Sequence, residues 1–260
     1  MLTPERRPFH LPVCRGEVGR YCILPGAPER VEKIAAMLEN PKLMGANREF
    51  TVWNGVLGDT LVTVCSTGIG GPSTAIAVEE LADCGADTMI RIGTCGGIAL
   101  KVQSGDAVIA SGAVRQDGTS HEYAPPEFPA VSDAEVLLAL TRAAERSERR
   151  CHVGVVQSKD SFYGQHSPTR MPTASALLEK WEAWKRLGVL ASEMEASTLF
   201  TVGASRGLRT GAVFHVIWNQ ERAEAGLDTD AQEDHDTEGA IRLAVEAIRI
   251  LAERDRRAEK

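Results

Sequence analysis

Long apolar runs are absent: no stretch of the 260-residue chain approaches the roughly 20 residues that a membrane-spanning helix needs. The opening MLTPERRPFHLP is too polar for a secretory signal. A cytoplasmic protein without a membrane partner is expected. Positive charge is also short, with 29 Lys and Arg against 36 Asp and Glu and a formal net charge of −7. Nucleic-acid binders need a basic face, so that class of partner is set aside. The six cysteines, Cys14, Cys22, Cys65, Cys84, Cys95 and Cys151, form no CxxC pair and no His/Cys cluster at zinc spacing. They read as reduced thiols. Repeats, low-complexity tracts and linkers are missing too, so residues 1–260 read as one domain, long enough to bury a sizeable core. Two nucleotide fingerprints fail. Gly68-x-Gly70 has Ser73 where the third glycine should stand, Pro72 follows Gly71, and no Walker lysine follows, which leaves NAD and ATP without a motif.

What is present is an alternation of short apolar strands and helices. Tyr21–Leu24 reads as a strand, then Pro25-Gly26-Ala27-Pro28 turns into a helix from Pro28 to Leu38. The polar–apolar alternation of Arg48–Trp53 reads as a strand turning at Asn54-Gly55. Strand Leu61–Ser66, a helix stopped by Gly85, and strand Thr88–Ile92 form a parallel strand–helix–strand unit. Ala107–Val114, Val153–Gln157 and Gly211–Trp218 read as further strands. Ser132 is the expected cap of a helix to Glu148, and Asp117–Pro129 and Ser158–Arg170 read as loops. A helix is expected over Ala174–Leu187, with Trp181 and Trp184 as packing residues, and another opening at Ala191. An acidic loop, Asp228–Asp236, precedes a last amphipathic helix.

The stretch Met89–Gly97, MIRIGTCGG, carries the first chemical signal. Arg91 interrupts an apolar run, and a buried guanidinium costs several kcal/mol unless an anion or acceptor meets it. The glycines beside it let the backbone approach a ligand, and phosphate suits a fixed positive charge among donors. Arg30 gives a second signal, since a cation in the first turn of a helix is unfavourable without an anion nearby. Gly26 exposes amides at that same helix start. An edge ion pair for Arg91, a tight turn at Gly68–Gly71 and an ordinary surface role for His10 are the alternatives the residues alone leave open.

Four separated motifs, Leu24-Pro25-Gly26 with Arg30, the run Cys65–Ser73, Arg91-Ile92-Gly93-Thr94 and Glu193-Met194-Glu195, resemble the nucleoside phosphorylases of the hexameric bacterial type, nearest to the uridine-cleaving members. The resemblance spans nearly the whole chain. It implies a single α/β domain with a central mixed, barrel-like sheet flanked by helices. It also implies reversible phosphorolysis of uridine, with deoxyuridine or thymidine as further substrates, to uracil and a pentose 1-phosphate in nucleoside salvage. By resemblance, Gly26, Arg30, Arg91 and Thr94 hold phosphate, with Arg48 reaching in from a neighbouring subunit. Thr94, Met194 and Glu195 hold ribose, with His10 from a partner. Phe162, Gln165, His166, Arg170, Gly96, Ile217 and Asn219 surround the base. Arg91, Glu195 and Gln165 are the implied catalytic residues. No organic cofactor is implied, but Glu49, Ile69 and Ser73 match a monovalent-cation site, K⁺, between subunits. Active sites shared within a homohexamer, a trimer of dimers, follow from the same likeness.

Two departures bear on the base. The run Gln165-His166-Ser167-Pro168-Thr169-Arg170 lacks the family's Gln-x-Arg, so Arg170 from a re-routed loop, or His166, is expected to supply the missing positive charge. Trp218-Asn219-Gln220 replaces a smaller residue and an arginine. A purine nucleoside phosphorylase of this fold would need an acid where Asn219 stands. A nucleosidase would have no use for three phosphate arginines, and a non-catalytic scaffold would be expected to lose Glu195 or Arg91.

Overall fold

The computed structural model describes residues 7–228 and 233–258. In chain order its elements are β1 (Tyr21–Pro25), α1 (Glu29–Ala35), β2 (Glu39–Asn47), β3 (Phe50–Leu57), β4 (Thr60–Cys65), α2 (Gly71–Cys84) and β5 (Thr88–Gly97). There follow β6 (Ala107–Gln116), α3 (Thr119–Tyr123), β7 (Ala130–Val131), α4 (Ala134–Glu145), β8 (Cys151–Lys159) and α5 (Phe162–His166). A 3-10 turn (Pro168–Arg170) precedes α6 (Ala174–Arg186), β9 (Ala191–Glu193), α7 (Ala196–Arg206), β10 (Arg209–Asn219), α8 (Gln220–Glu224) and α9 (Glu238–Ala258). The expected irregular start and acidic loop lie partly outside the described residues.

A single α/β domain results. Strands β10, β6, β8, β9 and β5 pair in turn, and β5 pairs back to β10, so five strands close into a mixed barrel. From β5 the sheet continues through β1, β4, β3 and β2. Helices α1, α4 and α9 pack their apolar faces on one side of this sheet, around Ile34, Leu140 and Ile248. Helices α2 and α7 pack on the other, around Val78, Leu81 and Phe200. Burial of such side chains stabilises by about 1.5–3 kcal/mol each.

Strand β5 creates the site by changing neighbours. Its residues Thr88–Ile92 pair with β1, whereas Gly96 and Gly97 pair with Ser192 and Ala191 of β9. Between them, Gly93, Thr94 and Cys95 have no partner on that edge. A crevice at such a divergence of strands is where α/β sheets bind ligands.

Several expectations shift, each for a physical reason. The hairpin turns are at Arg48-Glu49 and Gly58-Asp59, not at Asn54-Gly55, which lies inside β3. A Cβ on Gly55 would stand 2.5 Å from the Leu38 Cβ, so glycine there serves close packing, not chain reversal. Asn54 uses its amide on Glu17 and Thr63. Helix α4 is capped by Asp133, whose carboxylate accepts from the amides of Glu135 and Val136, while Ser132 donates to the Thr210 carbonyl. Ala191–Glu193 is strand rather than helix start because β8 and β5 both pair with it. The two expected loops contain α3 and α5. The tryptophans of α6 hydrogen-bond as well as pack: Trp181 donates to Glu221 and Trp184 to Gln116.

Candidate active site

Arg91 is 4% exposed, yet only part of its guanidinium is used. Nε donates to Glu193 at 3.2 Å and Nη2 donates to Glu195. Nη1 is buried without a partner among the described residues. A methyl added at Gly26 would stand 3.9 Å from that nitrogen, which places the unused donor against the β1–α1 turn. Leaving such a group unmet costs about 1–3 kcal/mol. Arg30, on the first turn of α1, lines the same space and forms no ion pair among the described residues. Burial, and after it the Arg91 cation, holds its guanidinium below its ordinary pKa. Two converging guanidiniums with an unspent donor suit an oxyanion.

The Glu193-Met194-Glu195 corner joins β9 to α7. Glu195 accepts from the Gly70 amide at 2.6 Å and from Arg91. Burial pushes its carboxyl upward, Arg91 opposes that, and Glu193 adds to it. Glu193 is fully occupied: it accepts from Ser158, Arg91 and the amides of Glu195 and Ala196. It thereby caps α7 and fixes Arg91, a role hidden in the sequence.

The same cavity wall contains Lys159, the last residue of β8 and a residue the sequence reading passed over. It is 5% exposed. Its Nζ donates to Ser192 Oγ at 2.7 Å and lies 5.9 Å from the Phe162 ring centroid. It forms no ion pair among the described residues. Burial lowers its pKa to about 8, against the pull of Glu193 and Glu195. The clue was available: a lysine extending an apolar strand on the face of Val155 and Gln157 is the same anomaly as Arg91 in β5. His166, with its ring 4.4 Å from that of Phe162, is held below its ordinary pKa by burial and then by Lys159. It is therefore neutral at pH 7 and able to donate and accept.

These groups share one cavity of about 810 Å³, whose wall includes Gly26, Arg30, Ile69, Arg91, Thr94, Gly96, Lys159, Phe162, His166, Met194, Glu195 and Ile217. Other expected site residues lie elsewhere. Gln165 lines an adjoining chamber of about 270 Å³ under α6, tied to the main wall by Ser192, which donates to its Oε1 at 2.7 Å. Arg170 is exposed and stacks on Tyr163 at 5.8 Å, so it does not fold back. Lys159, in contrast, is buried in the cavity wall. Asn219 is buried, with its amide donated to the carbonyls of Ala99 and Val102. His10 pairs with Glu80 at 2.7 Å, and Arg48 is exposed at the β2–β3 turn with φ 54°. Neither lines the cavity. Glu49 and Ser73 are hydrogen-bonded at 2.7 Å, beside Gly68. Among the described residues no cluster of three or more His, Cys, Asp or Glu could hold a metal ion, and no helix is long and apolar enough to cross a membrane.

Comparison with known proteins agrees with this geometry. The family model described as the phosphorylase superfamily matches residues 20–253. A uridine phosphorylase of Treponema pallidum is 53% identical over 247 residues, 95% of each chain. One from Klebsiella aerogenes is 44% identical over 249 residues, covering 94% of this chain and 97% of the relative. A guanosine phosphorylase of Halorubrum lacusprofundi is 38% identical over 247 residues, 93% and 98% of the two chains. A buried arginine with an unspent donor, a carboxylate corner and a match across 20–253 together place this chain in the phosphorylase superfamily.

Proposed function

We propose that the protein is a uridine phosphorylase, converting uridine and phosphate to uracil and ribose 1-phosphate in nucleoside salvage. The observation that carries this reading is the division of one cavity into three charge zones. Arg30 and the free Nη1 of Arg91 form the first, Glu195, which accepts from Arg91, the second, and Lys159, hydrogen-bonded to Ser192, the third. A phosphate oxygen attacks C1′ as the bond to the base nitrogen breaks, and the electron pair leaves with uracil. Arg30, Arg91, Thr94 and the Gly26 turn hold the nucleophile. Glu195 accepts from the ribose 2′- and 3′-hydroxyls, with Met194 against the sugar.

Negative charge on the departing base falls on its two carbonyl oxygens. Lys159 is a fixed cation there, already desolvated, so it needs little reorganisation as charge develops. Phe162, Gly96 and Ile217 flank the base, and neutral His166 adds a hydrogen bond. A purine would instead need an acid at its ring nitrogen. Asn219 cannot supply a proton, and its amide is spent on backbone carbonyls.

His10 and Arg48 lie outside the wall of the cavity of their own chain, which supports their donation to a neighbour's site in a homohexamer. Glu49, Ser73 and Ile69 offer oxygen ligands that suit a hard monovalent cation such as K⁺ between copies. Its role there would be structural. The test is release of free base from uridine, deoxyuridine, thymidine and inosine, with and without phosphate. Strict phosphate dependence is expected, with uridine favoured over inosine at least a hundredfold, about 2.7 kcal/mol of differential transition-state binding. Equal rates in phosphate-free buffer would make the protein a hydrolase and refute the reading.

A further inference from the structure

Lys159 is placed as a nucleophile is placed, not as a structural cation. A buried ammonium is ordinarily met by a carboxylate, yet Lys159 forms no ion pair among the described residues. Its Nζ donates to a neutral partner, Ser192 Oγ, at 2.7 Å, and the Phe162 ring centroid stands 5.9 Å away. The side chain is buried and lines the main cavity. Burial lowers its pKa to about 8, so near that pH about half of the molecules carry a neutral amine with a free lone pair. The exposed Lys33, Lys42, Lys101 and Lys180 have no such enclosure.

The same cavity wall holds Arg30 and Arg91, with the unspent Nη1 of the latter. Lys159 and Arg91 share their electrostatic neighbours. The two carboxylates that act on Lys159, Glu193 and then Glu195, are the two that Arg91 donates to. An amine and an oxyanion site therefore open on one space. We propose that the cavity takes small aldehydes carrying a phosphate, and that Lys159 holds their carbonyl carbon as a reversible imine. The neutral Nζ adds its lone pair to the carbonyl carbon, and the carbonyl oxygen takes up a proton. Water then leaves with that oxygen and both amine hydrogens, and a C=N bond remains. No oxidant or reductant is consumed, and water reverses the step. A desolvated lysine amine reacts with carbonyl compounds in this way. Ribose 1-phosphate has its anomeric carbon tied up as the phosphate ester and offers no aldehyde, whereas an open-chain triose or pentose phosphate does. The adduct fills the space that uridine needs, so such a compound acts as a covalent but reversible inhibitor.

The test incubates the protein at pH 8 with glyceraldehyde 3-phosphate or with glyceraldehyde, traps any imine with cyanoborohydride, and locates the adduct by peptide mass. Lys159 should be labelled ahead of the exposed lysines. The phosphorylated probe should react about tenfold faster or more, the worth of one charged hydrogen bond to its phosphate, and inorganic phosphate should remove that advantage. Arg30→Met should bring the two probes close to the same rate at Lys159, and Lys159→Met should lose the fast label altogether. Before reduction, inhibition of uridine turnover should reverse on dilution. Label on exposed lysines with Lys159 unmodified, equal rates for the two probes on wild type, or a Lys159→Met variant labelled as fast as wild type overturns the proposal. The inference rests on the oxyanion half of the uridine phosphorylase reading, and the two fail separately. Wild-type protein that is labelled at Lys159 but releases no uracil in phosphate sinks the functional reading alone; protein that releases uracil but takes no label sinks this inference alone.

Discussion

Replacing Lys159 with methionine should make the protein more stable and a much poorer catalyst. Methionine fills similar space without the charge. The loss of one charged hydrogen bond to the departing base is worth about 1.5–3 kcal/mol, so kcat/KM for uridine should drop about 10- to 150-fold. Stability moves the other way. Burial lowers the lysine from 10.5 to about 8, which means the folded protein holds the ammonium at a cost of about 3 kcal/mol. Below pH 8 both folded and unfolded chains carry the proton, so the whole cost is present. Between pH 8 and 10.5 the folded chain releases its proton first, and the cost fades. Thermal unfolding at pH 7 should therefore show a rise of several degrees for the Met variant, since about 1 kcal/mol is worth 2–4 °C in a chain of this size. That advantage should vanish near pH 10.5. Wild-type kcat/KM should fall with rising pH, with a midpoint near 8, and the variant should lose that limb. A Met variant within threefold of wild-type kcat/KM would remove Lys159 from the chemistry.

Two further outcomes follow from the carboxylate corner and the outward-facing residues. Glu195→Ala should cost uridine turnover at least tenfold and cost 2′-deoxyuridine less, because that substrate lacks one of the hydroxyls Glu195 accepts from; an equal penalty on both would separate Glu195 from the ribose. Mixing inactive Arg48→Ala and inactive Glu195→Ala subunits should restore part of the activity, since some sites would draw both intact groups from different chains. No recovery in mixed oligomers confirmed by mass would argue for sites complete within one chain.

The legible part of this protein was local. Arg91 inside an apolar strand demands an anion wherever the strand lies, because desolvating a guanidinium is costly in any fold. Arg30 in a helix's first turn and the strand–helix–strand run up to β5 likewise needed only neighbouring residues. The sequence also placed Met194 and Glu195 near the start of a helix, and both lie in the cavity wall. What it could not show depends on contacts between distant segments. Gly55 looks like a turn residue until Leu38 packs against it. Ala191–Glu193 begins a helical pattern but is claimed as strand by β8 and β5. Arg170 looked free to replace a lost arginine, yet it stacks on Tyr163 at the surface. Most of all, β8 and β9 pair in parallel with Ser158 opposite Glu193. That register sets Gln157 opposite Ser192, so Lys159, two residues further along β8, reaches the Ser192 hydroxyl at 2.7 Å, across a separation in sequence that no periodicity records. From the sequence alone came the expectation of an anion beside Arg91 and Arg30; the pairing of β8 with β9 decided that Lys159 shares their cavity, because only the closed barrel brings those strand ends together.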